Sequence, residues 1–288
     1  MSDKQETACA PKERIIWLNG AFLPESQARI SPLDRGLLFG DGLFETIRAQ
    51  NGEPMFLEDH LERIKASARR FNLPWNGGLD WDGILIGLIR KNNLQDGLAR
   101  LKIVLTRGCA PGLGLPHASN PTCMALAENY LAPASGAYAQ GWDLYIPEQS
   151  ISPPLSGHKT LNYLYYMAMK QEAIDNGCHE ALILDKDGMV AETCTANLLA
   201  YDINGWYTPA THWRLPGTAF KQVERLLKRQ GHIIRRQPVM VRQLANAQWV
   251  WALNSLMGIM PVHSIGGQPL ASLNNDSAAA LRAQLFMG

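Results

Sequence analysis

Short apolar runs alternate with tight-turn dipeptides along this chain. Asn19-Gly20 separates Arg14–Leu18 from Ala21–Leu23, and Asn51-Gly52 separates Phe44–Ala49 from Pro54–Leu57. Asp187-Gly188 lies between Ala181–Leu184 and Met189–Ala191, and Asn204-Gly205 between Asn197–Tyr201 and Trp206–Thr208. Such pairs supply the positive φ angles of tight hairpins, so the spacing predicts antiparallel connections. A doubly wound parallel sheet needs a helical crossover at these places and is disfavoured. Elsewhere the apolar period becomes helical. In Phe56–Phe71 the residues Leu57, Leu61, Ile64, Ala68 and Phe71 form one stripe, with His60, Arg63 and Ser67 on another face. Leu161–Asn176 reads as a second helix closed by Gly177, and Gly217–Gln230 as a third, with Phe220, Val223 and Leu227 inward and Gly231 past its end. Hairpins mixed with helices give an α+β class.

The 288 residues suit one large domain or two moderate ones. Tyr130–Tyr138, with Pro133, Ser135 and Gly136 among alanines, is the candidate break. It predicts a smaller N-terminal domain over 1–132, a linker at 133–138 and a larger C-terminal domain over 139–288. Twenty-seven basic against 26 acidic side chains leave no field that favours nucleic acid or an acidic membrane. No apolar run approaches the roughly 20 residues that span a bilayer, and Met1–Arg14 lacks the apolar stretch of a signal peptide. The five cysteines, Cys9, Cys109, Cys123, Cys178 and Cys194, are scattered without a Cys-x-x-Cys pair. Neither a disulfide scaffold nor a cysteine-based metal module is expected, and a cytoplasmic protein without a metal is.

Generic chemical motifs are missing: no phosphate loop, no His-Glu-x-x-His pair and no Gly-x-Ser-x-Gly turn. What identifies the chemistry is a series of phrases in fixed order. Phe39-Gly40-Asp41-Gly42-Leu43-Phe44-Glu45-Thr46-Ile47-Arg48 precedes Glu58-Asp59-His60-Leu61-Glu62-Arg63-Ile64. His158-Lys159-Thr160-Leu161-Asn162-Tyr163 and Glu192-Thr193-Cys194-Thr195-Ala196-Asn197-Leu198 follow. Leu215-Pro216-Gly217-Thr218 and Asn254-Ser255-Leu256-Met257-Gly258-Ile259-Met260-Pro261-Val262 close the series. Together they resemble the class IV (fold type IV) pyridoxal-phosphate enzymes, which include branched-chain and D-amino-acid aminotransferases and 4-amino-4-deoxychorismate lyases. The resemblance runs from about Ile16 to Pro261. It implies a two-domain enzyme, antiparallel-rich sheets with flanking helices, pyridoxal 5'-phosphate as cofactor, and a homodimer.

Residue roles follow from the same resemblance. Lys159 occupies the position of the lysine that holds the cofactor aldehyde and then shuttles the substrate proton. Glu192 matches the acid that keeps the pyridine nitrogen protonated. Arg63 matches the arginine whose fork grips the cofactor phosphate. Gly217, Thr218 and Ala219 open the third helix, where free amides suit a phosphate, although the family often has Ile-Thr after the glycine. Ser255 and Leu256 match a second phosphate-binding loop, and Tyr163 a tyrosine near the cofactor's phenolic oxygen. Phe44, Arg107 and Asn254 are the candidates for substrate contact.

The family's activities differ in the substrate grip. D-amino-acid aminotransferases carry an arginine and a histidine after the Thr-Arg-Gly phrase, and neither follows Thr106-Arg107-Gly108 at those places. Branched-chain enzymes carry a Gly-Thr-Ala type of sequence where this chain has Asn254-Ser255-Leu256. The stretch from Asn254 to Val262 is most similar to aminodeoxychorismate lyases, though many of these have an arginine where Gly112 stands. The implied function is conversion of 4-amino-4-deoxychorismate to 4-aminobenzoate and pyruvate in folate biosynthesis. A class IV aminotransferase is the alternative. A binding protein with a decayed substrate site is the third reading, and the intact Lys159–Glu192–Arg63 set argues against it.

Overall fold

Two sheets organise the chain. The computed structural model describes residues 13–117, 120–148 and 151–287; Cys9 and the opening residues 1–12 lie outside them. The first sheet holds β1 (Ile15–Leu18), β2 (Ala21–Pro24), β3 (Gly42–Gln50), β4 (Glu53–Pro54), β5 (Leu98–Thr106) and β6 (Thr122–Asn129). Its order is β2-β1-β6-β5-β3-β4, antiparallel throughout. Both predicted hairpins are present. Leu18 pairs with Ala21 and Gln50 with Glu53, and Asn19 (φ 47°) and Asn51 (φ 51°) take the left-handed region that a two-residue turn demands.

Helices α1 (Arg35–Phe39), α2 (Leu57–Arg70) and α3 (Trp81–Lys91) accompany this sheet. The predicted stripe of α2 meets the sheet, with Ile64 and Ala68 buried beside Ile47, Leu101 and Ile103. In α3, Trp81 sits edge-on to Trp17, with centroids 5.6 Å apart, and stacks on Trp75 at 5.2 Å. Strand alternation then divides the sheet into two faces. On β5, Ala99, Leu101, Ile103 and Leu105 enter this core, which leaves Arg100 and Lys102 on the opposite face.

The second sheet contains β7 (Trp142–Tyr145), β8 (Glu180–Leu184), β9 (Val190–Thr193), β10 (Asn197–Asp202), β11 (Gly205–Pro209), β12 (Arg235–Gln237), β13 (Trp249–Asn254), β14 (Gly258–Ile265) and β15 (Gln268–Pro269). Its path is β12-β11-β10-β13-β14-β7-β8-β9, with β15 on β14. The hairpins at 184–190 and 202–205 are antiparallel as expected. In the second, Asp202 pairs with Gly205 and accepts from the amide of Asn204 at 2.7 Å. Ile203-Asn204 therefore makes the turn, and Gly205 belongs to the strand. Three pairs are parallel, β7 with β8, β7 with β14 and β11 with β12. Helix α5 (Leu164–Asp175) supplies the crossover from β7 to β8, and α6 (Thr218–Arg229) that from β11 to β12. The remaining helices are α4 (Ser135–Gln140), α7 (Val241–Ala245) and α8 (Asn275–Leu285).

Two boundaries differ from the sequence reading. Helix α5 begins at Leu164 rather than Leu161, because Lys159–Leu161 pairs with the start of β3 instead. Part of the segment read as a linker is helical: Ser135–Tyr138 lies in α4, Tyr138 donates its hydroxyl to the carbonyl of Met257 at 2.8 Å, and Arg282 covers its ring at 3.7 Å.

Candidate active site

Between the two sheets lies a cavity of about 290 Å³. Lys159 reaches it from an irregular segment that is held like a strand. Phe44 donates its amide to the carbonyl of Lys159 at 2.9 Å, and Leu161 donates to the carbonyl of Gly42 at 3.0 Å. Gly42 permits this approach, since a Cβ there would lie 2.6 Å from the carbonyl oxygen of Leu105 and 2.7 Å from Leu161 Cδ1. The amine sits over two aromatic faces, 4.3 Å from the centroid of Phe44 and 5.1 Å from that of Tyr163. Burial, reinforced by the Arg63 cation, lowers its pKa from the ordinary 10.5 to about 8, although Glu45 and Glu192 oppose the shift.

Glu192, on β9, lines the same cavity. One of its oxygens, Oε2, accepts from Asn197 Nδ2 at 3.2 Å and from the amide of Leu215 at 3.1 Å. Oε1 is left for a ligand. Burial raises this carboxyl to about 8 in the protein alone, against the pull of the Leu215 amide, Arg214 and Lys159. A protonated ring nitrogen is the partner such a group lacks. Asn197 was not among the expected site residues, yet its Nδ2 also donates to the carbonyl of Leu215 at 2.9 Å and so fixes the acid's loop. Its Oδ1 would lie 1.8 Å from a Cβ on Gly217. That explains why glycine precedes α6, although its φ of −69° suits any residue.

At the start of α6 no side chain caps the first amides. Those of Thr218 and Ala219, both lining the cavity, are oriented donors for an anion. Arg63 stands beside them and differs from expectation in how its fork is used. Nε bonds Glu45 Oε1 at 2.8 Å, Nη2 bonds Glu45 Oε2 at 2.5 Å, and Nη1 donates to the carbonyl of Pro216 at 3.0 Å. The bidentate face is thus spent on a buried carboxylate, and two N–H groups are left for a phosphate. Ser255 and Leu256 also line the cavity, but Ser255 donates its hydroxyl to the carbonyl of Thr46 at 3.1 Å. The amide of Leu256 donates to Asn254 Oδ1 at 3.1 Å, so Asn254 caps its own turn and turns only Nδ2 to other use.

Phe44 and Tyr163 line the cavity, and Tyr163 donates its hydroxyl to the carbonyl of Cys194 at 3.1 Å. Arg107 does not. It is fully buried, and all five N–H groups are taken: two by Asp41, the others by the carbonyls of Phe71, Asn72 and Pro116. This arginine anchors a loop and has no donor left for a substrate. Among the described residues no cluster could hold a metal ion.

An amine, an acid with one free oxygen and a cup of amides and guanidinium N–H groups share one cavity, and this donor set fits an aldehyde-bearing pyridine phosphate. Residues 42–265 match the family model described as "Amino-transferase class IV". The chain belongs to this family. It is therefore a pyridoxal-phosphate-dependent enzyme. The class IV chain is 30% identical to the "Putative branched-chain-amino-acid aminotransferase" of Methanocaldococcus jannaschii, over 94% of its own length and 93% of the relative's. It is 29% identical to the aminodeoxychorismate lyase of Vibrio harveyi, over 87% and 91%. Relatives named D-alanine aminotransferase fall in the same range. Among solved structures, the T.th. branched-chain amino acid aminotransferase complexed with N-(5'-phosphopyridoxyl)-L-glutamate superposes with a TM-score of 0.84 at 25% identity, covering 96% of this chain and 94% of its own.

The depressed Lys159 pKa gives a direct test. In cofactor-free enzyme, reductive labelling of Lys159 by an aldehyde should rise with pH and level off above about 8, because the amine reacts only when neutral. Lys159→Ala should lose the label. A midpoint at the ordinary lysine value would show that the pocket does not depress this amine.

Proposed function

We propose that this class IV enzyme is a lyase that converts 4-amino-4-deoxychorismate to 4-aminobenzoate and pyruvate, for folate biosynthesis in the cytoplasm. The observation that carries the reading is the pair of cations that β5 offers the site. Arg100 lines the cavity and is paired through Nε and Nη2 with Glu128 Oε1 at 2.8 Å, which leaves Nη1 for a second anion. Lys102 Nζ lies 5.0 Å from the ring of Phe44, the ring that also carries Lys159. Two residues apart on one strand face, they stand about 7 Å apart at Cα. That spacing suits a substrate with two separated carboxylates, one on the ring and one on the enolpyruvyl arm. A small amino acid with one carboxylate leaves one cation unused, and the loop after Arg107 offers glycines in place of a grip.

The site residues divide the work. Arg63 and the amides of Thr218 and Ala219 would hold the cofactor phosphate, and Gly217 keeps that end open. Ser255 and Leu256 line the cavity with hydroxyl and amide already donated to Thr46 and Asn254, so they would reach the phosphate only by exchanging those bonds. Tyr163 would stand beside the cofactor's phenolic oxygen, and Phe44 and Asn254, which line the same cavity, would face the substrate. Bound pyridoxal phosphate supplies an electron sink for the carbon beside the substrate nitrogen. Glu192 keeps a proton on the ring nitrogen, which sustains that sink. Lys159 takes the proton from the ring carbon that bears the amine. The bond from ring carbon to enolpyruvyl oxygen then breaks, the ring becomes aromatic, and the departing enolpyruvate gains a proton as pyruvate.

A transferase is the second reading. The T.th. neighbour is complexed with a glutamate adduct, and a dicarboxylic amino donor would also use both cations. Lys159 would then return its proton to the cofactor carbon, and a keto acid would leave. The assay separates the two. The lyase releases pyruvate from aminodeoxychorismate with no keto acid present and turns over D-alanine weakly or not at all. Lys102→Met should raise KM about tenfold, as expected for a lost charge-assisted contact. Amino-acid turnover that requires a keto acid, with no pyruvate from aminodeoxychorismate, would replace the lyase by the transferase.

The two sheets are further read as the centres of two domains, 1–132 and 139–288, and the enzyme as a homodimer. Leu33, Leu37, Leu38 and Phe39 are all more than half exposed, and Leu113 is 91% exposed. Arg35 ties the two segments together through the carbonyls of Gly112 and Gly114, at 2.7 and 3.0 Å, so they form one apolar surface. A second copy covers it best. Sedimentation should give the mass of two chains, and Leu37→Asp should shift it toward one. A fully active monomer would refute the assembly.

A further inference from the structure

His60 lies at the back of the phosphate cup and has no part in the chemistry described so far. It is fully buried, with Nδ1 2.7 Å from Glu45 Oε2 and Nε2 3.2 Å from Thr218 Oγ1. Glu45 is ionised: burial pushes its carboxyl up, but Arg63 and His60 outweigh this and bring it to about 2. A carboxylate at 2.7 Å requires the proton on Nδ1, which fixes the tautomer. In the protein alone His60 is neutral, because burial, Arg63 and Lys159 all disfavour a further charge and outweigh Glu45. Nε2 is then a bare acceptor, and the hydroxyl of Thr218 must donate to it. This hydroxyl, at the mouth of the cup, has no second proton to give a phosphate.

Loading leaves burial and Glu45 as they are and adds negative charge. A dianion arrives beside Thr218, and Arg63 gains a second anionic partner. Glu45 from β3, Arg63 from α2, Lys159 from its loop and Thr218 from α6 are the groups that face His60. All the changes run toward a charged imidazole. We propose that His60 takes up a proton when a phosphate dianion occupies the start of α6, which reverses the hydrogen bond to Thr218 and frees its hydroxyl to donate to that phosphate. His60 is thus a positioning residue, and cofactor capture is coupled to a proton. The proposal rests on the phosphate placement given above.

Pyridoxamine 5'-phosphate is the suitable probe, since it has no aldehyde to condense with Lys159. Nitrogen-15 spectra of the histidine side chains, with His60→Gln as the assignment control, report the protonation state directly. Calorimetry in buffers of different ionisation enthalpy counts protons. Loading the full-length apoenzyme should move His60 from the neutral Nδ1–H form to imidazolium. Wild type should take up about one proton more than His60→Gln, and pyridoxamine without phosphate should produce neither effect. Thr218→Val should also abolish the uptake. The amide resonances of Thr218 and Ala219 test the placement separately. If they ignore the phosphate, the placement fails and the proposal with it. If they shift while His60 stays neutral, the coupling alone is overturned.

Discussion

Glu45 carries a full negative charge inside the protein, and the active site is arranged around that fact. A bare carboxylate at such a depth costs many kcal/mol, so the fold brings it cations and donors. Arg63 and His60 both come from α2, three residues apart on the face that the apolar stripe leaves free. Each also reaches across the boundary between the sheets: Arg63 donates to the carbonyl of Pro216, and the ring of His60 accepts from the hydroxyl of Thr218. The start of α6 is thereby set relative to β3 by one buried carboxylate. Breaking a buried pair of this kind costs about 3–5 kcal/mol, whereas a helix terminus contributes about 0.3–2 kcal/mol toward holding an anion. The positioning of the cup therefore depends more on Glu45 than on the helix dipole.

Other contacts between the halves converge on the same rim. Ser255 is held by the carbonyl of Thr46, and Arg48 donates to the carbonyl of Leu256 at 2.7 Å while its guanidinium lies 4.0 Å from the ring centroid of Phe286. Asp59 binds Lys221, Gln222 and Arg225 at the outer side of α6. Lys159 itself is shared: its side chain faces the second sheet's acid, and its backbone pairs with the first sheet's edge. The cavity thus lies where neither half has a complete wall alone.

Much of this was legible in the sequence, and the reasons differ by feature. The hairpins were readable because Asn-Gly chemistry is local: Asn19 and Asn51 need only their neighbours to adopt positive φ. The stripe of α2 was readable because periodicity is local too. Lys159, Glu192, Gly217, Thr218 and Ala219 were singled out through the order of their phrases, and all five line one cavity. What stayed hidden depends on distant partners. That the fork of Arg63 goes to Glu45 cannot be read from two residues 18 apart on different elements. Arg107 looked available because its partner Asp41 is 66 residues away. Asn197 carried a signal, in that it lies within the Glu192 phrase, but its role needed Leu215 and Gly217 beside it. The parallel pairs of the second sheet were likewise invisible, since the crossovers of α5 and α6 fix them only in three dimensions.

The affinity of Glu45→Gln apoenzyme for pyridoxamine 5'-phosphate, measured by fluorescence with circular dichroism as the check on folding, tests this account most directly. Glutamine keeps the shape and removes the charge, so Arg63 and His60 lose the anion that orients them. The account predicts a folded protein that binds at least about tenfold more weakly, a difference of about 1.4 kcal/mol. Tighter binding would show that Glu45 competes with the phosphate for Arg63 rather than placing it, and equal affinity would show that the cup is organised without it; either would contradict the central role given to this carboxylate.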